Sequence, residues 1–258
     1  MRANKQPGST RLFMLHFFYS LAVKKLPTEL IGCVIFFIAK GIVKMAKLAL
    51  CVFRDAVLFD KPEQWVPFIK DRAEVDHPDK LDPSIKQLLP YVVLVSAFSD
   101  AQHKTHLKVL TYIRGSAGDE SRLHDLLSCG FGGHVDTEPK MVSLAQHLAE
   151  EAFREVKEEL KIDLDLVRLR ACINHTLRGK DFYSVEDREP VHSVHLGIPI
   201  YYFMSLNEKI AMESHQAEEG VIKSVEWKKL EELQKPQGFE MEYWSQMAVA
   251  RLTEDFAD

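Results

Sequence analysis

Cysteine is scarce in this sequence: Cys33, Cys51, Cys129 and Cys172 are the only four in 258 residues, and they form no CxxC pair and no metal-ligand spacing. That excludes a disulfide framework or a cysteine metal site as the organising principle and leaves reduced thiols as the expectation. Cys129 lies beside a glycine loop, yet spacing supplies no base to activate it, so it reads as a small buried core residue. Internal repeats and low-complexity tracts are absent, and the length suits one domain with appendages or at most two. Long apolar runs are missing as well. Leu12–Val23 and Leu30–Val43 are apolar, but both fall short of the roughly 20 uninterrupted residues of a membrane span, and the second contains Lys40.

Positive charge is missing from most of the chain. Residues 1–50 carry eight Lys and Arg against Glu29 alone, so the overall charge of −5 leaves −12 for the remainder. An acidic body excludes a broad basic surface for non-specific nucleic-acid binding and suits a domain that concentrates cations. Residues 1–44 stand apart as a basic, apolar N-terminal extension, readable as an interfacial anchor, as a leader, or as an artificial stretch upstream of a true start at Met45. The last reading is preferred, because Met45-Ala46-Lys47 opens a conventional soluble sequence; an intact mass placing the native start near residue 1 would refute it. Residues 45–258 are then the folded domain, expected in the cytoplasm, with membrane association expected only if the extension is a real anchor.

Within that domain, residues 47–59 (KLALCVFRDAVLF) read as a strand or two, followed by polar loops around Pro62, Pro67, Pro78 and Pro83. Tyr91–Phe98 reads as a buried strand, Lys108–Arg114 as an alternating one, and Leu126–Val135 as a third running into the glycine loop. Leu166–Leu177, Val191–Leu206 and Val221–Lys228 read as further strands, Lys229–Gln234 as a short helix and Gly238–Phe256 as a closing amphipathic helix. Mixed strands around a central helix give an α+β class, an α/β/α sandwich with a mixed sheet.

The central helix, Met141–Ile162, organises the chain. At about 100° per residue, Ala145, Ala149, Ala152, Phe153, Val156 and Leu160 fall on one apolar stripe. Glu151, Glu155, Glu158 and Glu159 gather on a second arc, where neighbours three and four apart repel by a few tenths of a kcal/mol per pair. A hard divalent cation held by oxygen ligands on this rigid face would offset that repulsion. The plainer alternative is a solvated acidic face.

The run Arg154-Glu155-Val156-Lys157-Glu158-Glu159, followed by Ile162 and preceded by Gly132-Gly133, resembles the signature of the Nudix hydrolases. That signature reads Gly, five residues, Glu, seven residues, Arg-Glu-aliphatic-any-Glu-Glu-any-Gly-aliphatic. Residues 86–96 (KQLLPYVVLVS), Tyr112-Ile113-Arg114 and residues 120–136 (ESRLHDLLSCGFGGHVD) resemble a subgroup of predicted Nudix phosphoesterases of bacteria and phages. The match departs at Lys161, where the family has its closing Gly, so the helix end is expected to be shaped differently. It departs again at Gln146, which stands in place of the first Glu counted back from Arg154. The longer run from Gly133 implies an insertion within residues 136–143.

The resemblance implies a Nudix-like fold and the hydrolysis by water of a nucleoside-diphosphate-linked or similar diphosphate, with Mg2+ or Mn2+. Carried over by position, it implies Glu155, Glu158 and Glu159 as metal ligands with the Gly133 carbonyl beside them, and Glu158, Glu159 or Glu219 as catalytic carboxylates. Arg154 would be an orienting ion pair. Arg114, Arg122 and His134 are the candidate substrate contacts, guanidinium forks being suited to phosphate. His192 and His195, three apart on a strand, point to opposite faces and read as a poor metal pair. Tyr91, Phe131 and Tyr201 would stack a base or fill the core. No adenine or ribose signature is readable. The alternative function is a catalytically inactive Nudix-fold module that binds nucleotides or regulates, and dimers, common in such folds, make a homodimer an expectation.

Overall fold

The computed structural model describes residues 48–75, 81–116, 121–136, 142–184, 193–213, 222–235 and 238–256. The N-terminal extension, His192, Glu218 and Glu219 lie outside the described residues. The buried run at the start of the domain forms strand β1 (Leu48–Phe53) and then, unlike the expected second strand, turns into a short helix α1 (Arg54–Phe59). The Arg54 amide still donates to the Ser84 carbonyl in the register of the β1–β3 ladder as the helix begins. Strand β2 (Phe68–Asp71) pairs antiparallel with β1 and leads into the single turn α2 (Arg72–Val75).

Strand β3 (Ile85–Ser99) is the spine of the sheet and longer than the apolar run alone suggests. Along one edge it pairs antiparallel with β1, with β6 (Gly130–Phe131) and with β4 (Thr105–Arg114); along the other it pairs in parallel with β7 (His195–Phe203), from Gln87 opposite His195 to Val95 opposite Phe203. Beyond β4 lie the two-residue β5 (Leu127–Ser128) and β8 (Ile222–Lys229). The expected strand over 126–135 is thus two short pieces and an irregular segment. The sheet is mixed, as its sequence suggests.

Alternation along β3 sends Leu88, Val92 and Leu94 into one core and Tyr91, Val93 and Val95 into the other. The first core is covered by α3 (Leu144–Leu160) and α4 (Leu166–Gly179), the second by α6 (Leu230–Leu233) and α7 (Tyr243–Asp255), while α5 (Leu206–Glu213) follows β7. Helices on both faces make the expected sandwich. The segment Leu166–Leu177, by contrast, is a helix rather than a strand. Asp165 caps it by accepting from the amides of Val167 and Arg168, and Leu169, Ile173, Thr176 and Leu177 are buried at helical spacing.

Helix α3 begins where the Ser143 side chain accepts from the Gln146 amide. Its predicted stripe is buried at Ala145, Ala149, Ala152, Val156 and Leu160, with Leu148 added, while Phe153 packs half-buried at its margin. The helix closes on Lys161 in the left-handed conformation, φ 58° and ψ 28°. The expectation of a differently shaped end is therefore overturned: the backbone takes the turn usually given to glycine, and a lysine carries it. Among the described residues no helix is long and apolar enough to cross a membrane.

Candidate active site

The acidic arc of α3 is gathered around Arg154. Its Nε donates to Glu151 at 3.0 Å, one terminal nitrogen to Glu158 at 2.9 Å, and the other to Glu155 at 2.5 Å and, more distantly, to Asp136 at 3.5 Å. The mutual repulsion read from the sequence is therefore offset within the protein by a guanidinium. Glu151 is only 4% exposed and belongs to this internal pairing, Glu155 and Glu159 are half-buried, and Glu158 is exposed. Burial pushes the Glu155 carboxyl above the ordinary glutamate range, with Arg154 pulling the other way. Among the described residues no three His, Cys, Asp or Glu side chains converge as around a metal ion.

The loop after β6 brings the backbone against this arc. Gly132 has φ 149°, and a Cβ there would come within 2.1 Å of the Pro90 carbonyl oxygen, so only glycine fits. At Gly133 a Cβ would lie 3.1 Å from the Glu155 carboxylate, so the bare backbone of the loop packs closely against that carboxylate. The same loop also lines a cleft of about 380 Å³, together with Tyr91, Arg114, Arg122, His134, His195 and the start of α7.

All three candidate substrate contacts, Arg114, Arg122 and His134, thus share one cleft. Arg114 is tied by its Nε to Glu242 at 3.0 Å, Arg122 is exposed, and His134 places its Nε2 3.3 Å from that of His195. Of the aromatics, Phe131 is core, Tyr91 is buried edge-on against Trp244, and the Tyr201 hydroxyl meets that of Tyr183 at 2.5 Å. Cys129 is buried, which pushes its thiol up to about 12, in keeping with a core residue rather than a nucleophile. Gln146 turns away from the cleft in its bonding: it donates to Glu150 and accepts from Arg170 on α4.

No family model matches the chain. Over 172 residues it is 31% identical to Protein YmaB of Bacillus subtilis (strain 168), covering 65% of this chain and 71% of that one. The crystal structure of Tm1382, a candidate Nudix hydrolase, superposes with a TM-score of 0.52 at 23% identity, over 81% of this chain and all of the other. The chain belongs to the YmaB family, and its fold is the Nudix fold. A weaker likeness, TM-score 0.41 at 12% identity over 66% of this chain and 96% of the other, is to a mutT/nudix family protein from Listeria innocua.

For a Nudix fold, the arc on α3 and the glycine loop lie where the sequence placed them, because both rest on contiguous residues. Glu242 and Trp244 are cleft residues that the sequence did not single out, and His195, read there only as half of a poor metal pair, joins them. His195 reaches His134 across 61 positions, while His192 lies outside the described residues. Glu242 reaches Arg114 across 128 positions. The one available signal was a carboxylate at the start of the closing helix, which is also what an ordinary helix start shows.

Proposed function

We propose that this YmaB-family chain is a divalent-metal-dependent hydrolase of a nucleoside-diphosphate-linked or similar diphosphate, of the phosphoesterase kind its sequence resembles. The observation that carries this reading is the double role of one loop. Gly133 abuts the Glu155 carboxylate and also lines the cleft that holds Arg114 and Arg122. Glu155, Glu158 and Glu159 do not themselves line that cleft, and Gly133 is the residue that joins the carboxylate cluster to it.

The donor types suit Mg2+ or Mn2+: Glu155, Glu158, Glu159 and the Gly133 carbonyl offer only hard oxygens, and the glycine lets the backbone come close beside Glu155. A bound ion would supply charge neutralisation and Lewis acidity toward the phosphoryl oxygens. Arg154 holds Glu151, Glu155 and Glu158 in a common orientation. Glu158 or Glu159, or Glu219, accepts a proton from the water that attacks phosphorus. Arg114, Arg122 and His134 hold phosphate oxygens while the bridging P–O bond breaks and its electrons leave with the departing phosphate.

The test is turnover of a panel of nucleoside diphosphate derivatives with Mg2+ or Mn2+, comparing wild type with Glu159→Gln. Metal-dependent release of phosphate or nucleotide that drops roughly 10²-fold or more in the variant supports the hydrolase. One feature favours the non-catalytic module instead: Gln146 stands in place of an acid, and its amide is already engaged by Glu150 and Arg170. Nucleotide binding without turnover of any member by either protein would give that reading the lead.

A further inference from the structure

Arg114 closes strand β4 with its side chain 27% exposed in the cleft, and its Nε is the nitrogen bound to Glu242. Among the described residues, neither of its two terminal nitrogens donates to the protein. The guanidinium is thus gripped at its elbow, leaving the forked end toward the cleft. Its planar group also lies over the Tyr112 ring, 5.7 Å from the centroid.

The grip is itself built. The Glu242 side chain is 8% exposed; its second oxygen accepts from the Tyr91 hydroxyl at 3.4 Å, and that hydroxyl meets the Ser245 hydroxyl at 2.8 Å. Ser245 in turn accepts from the Cys129 amide at 2.9 Å. The backbone is pinned at the same place: the Leu127 amide donates to the Glu240 carbonyl and the Glu242 amide to the Leu127 carbonyl, both at 2.9 Å. Glu242 is therefore fixed to the sheet before any ligand arrives.

A buried carboxylate beside an anion site is electrostatically unfavourable for the anion, so its presence there calls for a geometric reason. We propose that Glu242 is a positioning residue that aims the Arg114 fork at a phosphate group of the substrate, making this end of the cleft a phosphate subsite. The phosphate in question is the one held rather than attacked. This rests on the reading of the cleft as a diphosphate site, but its test needs no turnover.

The measurement is calorimetric binding of inorganic pyrophosphate to the full chain in metal-free buffer, for wild type, Glu242→Ala, Glu242→Gln and Arg114→Lys, with thermal melts confirming that each folds. Positioning and electrostatics give opposite signs. Removing the carboxylate in Glu242→Ala frees the fork and weakens binding roughly tenfold, whereas removal of a nearby negative charge alone would tighten it. Glu242→Gln keeps an acceptor for the Arg114 Nε and restores binding to the wild-type level or better. Arg114→Lys, a point charge without a fork, loses roughly tenfold. Binding by Glu242→Ala as tight as wild type, undiminished binding by Arg114→Lys, or no binding of pyrophosphate by folded wild type would each overturn the proposal. A chain that binds in this pattern yet hydrolyses nothing would sink the hydrolase reading while leaving the subsite standing.

Discussion

The end of α3 offers a test of backbone strain isolated from everything else. Lys161 sits at φ 58° with its Nζ donating to the Glu158 carbonyl at 2.5 Å, an exposed contact. A left-handed L-residue costs about 1–2 kcal/mol, while glycine gives back about 0.5–1 kcal/mol through the larger entropy of its unfolded chain. Lys161→Ala and Lys161→Gly both lose the Nζ contact, so their difference cancels it and leaves the backbone alone. Lys161→Gly should therefore be the more stable of the two by about 1 kcal/mol, or roughly 2–4 °C in Tm for a domain of this size. Urea unfolding followed by far-UV circular dichroism measures this directly, with a common m-value confirming that the same transition is compared. If the alanine variant equals or exceeds the glycine variant, Lys161 is not strained and the account of the helix end is wrong.

Gly132→Ala, whose methyl would meet the Pro90 carbonyl oxygen at 2.1 Å from a φ of 149°, should lose about 3 kcal/mol or more and express poorly; a wild-type Tm would refute the close approach. Arg154→Met leaves Glu151, Glu155 and Glu158 without their shared cation and should lower metal-free stability by about 1–2 kcal/mol. Added Mg2+ should recover more stability in that variant than in wild type, and equal gains in paired melts would count against a cation site on this arc. Glu208 supplies a pH test: partial desolvation raises its carboxyl, but Arg168, Ser205 and Tyr202 prevail and hold it at about 2 against 4.5. Its ionised form stabilises the fold fully above the unfolded value, and the contribution fades as pH falls from 4.5 toward 2. Glu208→Gln should therefore be less stable by about 2 kcal/mol near neutrality and converge with wild type in acid; a gap that ignores pH across that window would refute the assignment.

What could be read in the sequence follows how far apart the interacting residues lie. Helix α3 was legible because its buried stripe, its Ser143 cap and the Arg154 cluster all fall within one contiguous stretch. Helix α4 was misread because Val167-Arg168-Leu169-Arg170 alternates like a strand, although Asp165 ahead of it was a helix start in plain view. The Arg54–Phe59 helix was missed because Ala56-Val57-Leu58-Phe59 carries on the apolar run of the strand, while the charged pair Arg54-Asp55 that interrupts it was the local signal of a break. In the cleft, Arg114, Arg122 and His134 were found through residue type and resemblance. Their partners Glu242 and His195 were not, since nothing local distinguishes a carboxylate that grips an arginine from one that caps a helix.

The parallel ladder between β3 and β7 joins residues more than a hundred positions apart, whereas β3 and β4 form an antiparallel neighbour pair across a short turn. Closing so large a loop is entropically expensive before any contact repays it, so β7 should dock late in folding, after the β3–β4 pair has formed. His195 is the first residue of β7, opposite Gln87, and it also lines the cleft. A nascent chain with α3 and the glycine loop already in place would still lack one wall of the proposed ligand site. Competence to bind would then arrive with the last strand, and ligand added during refolding would stabilise the finished sheet without accelerating the steps that precede it.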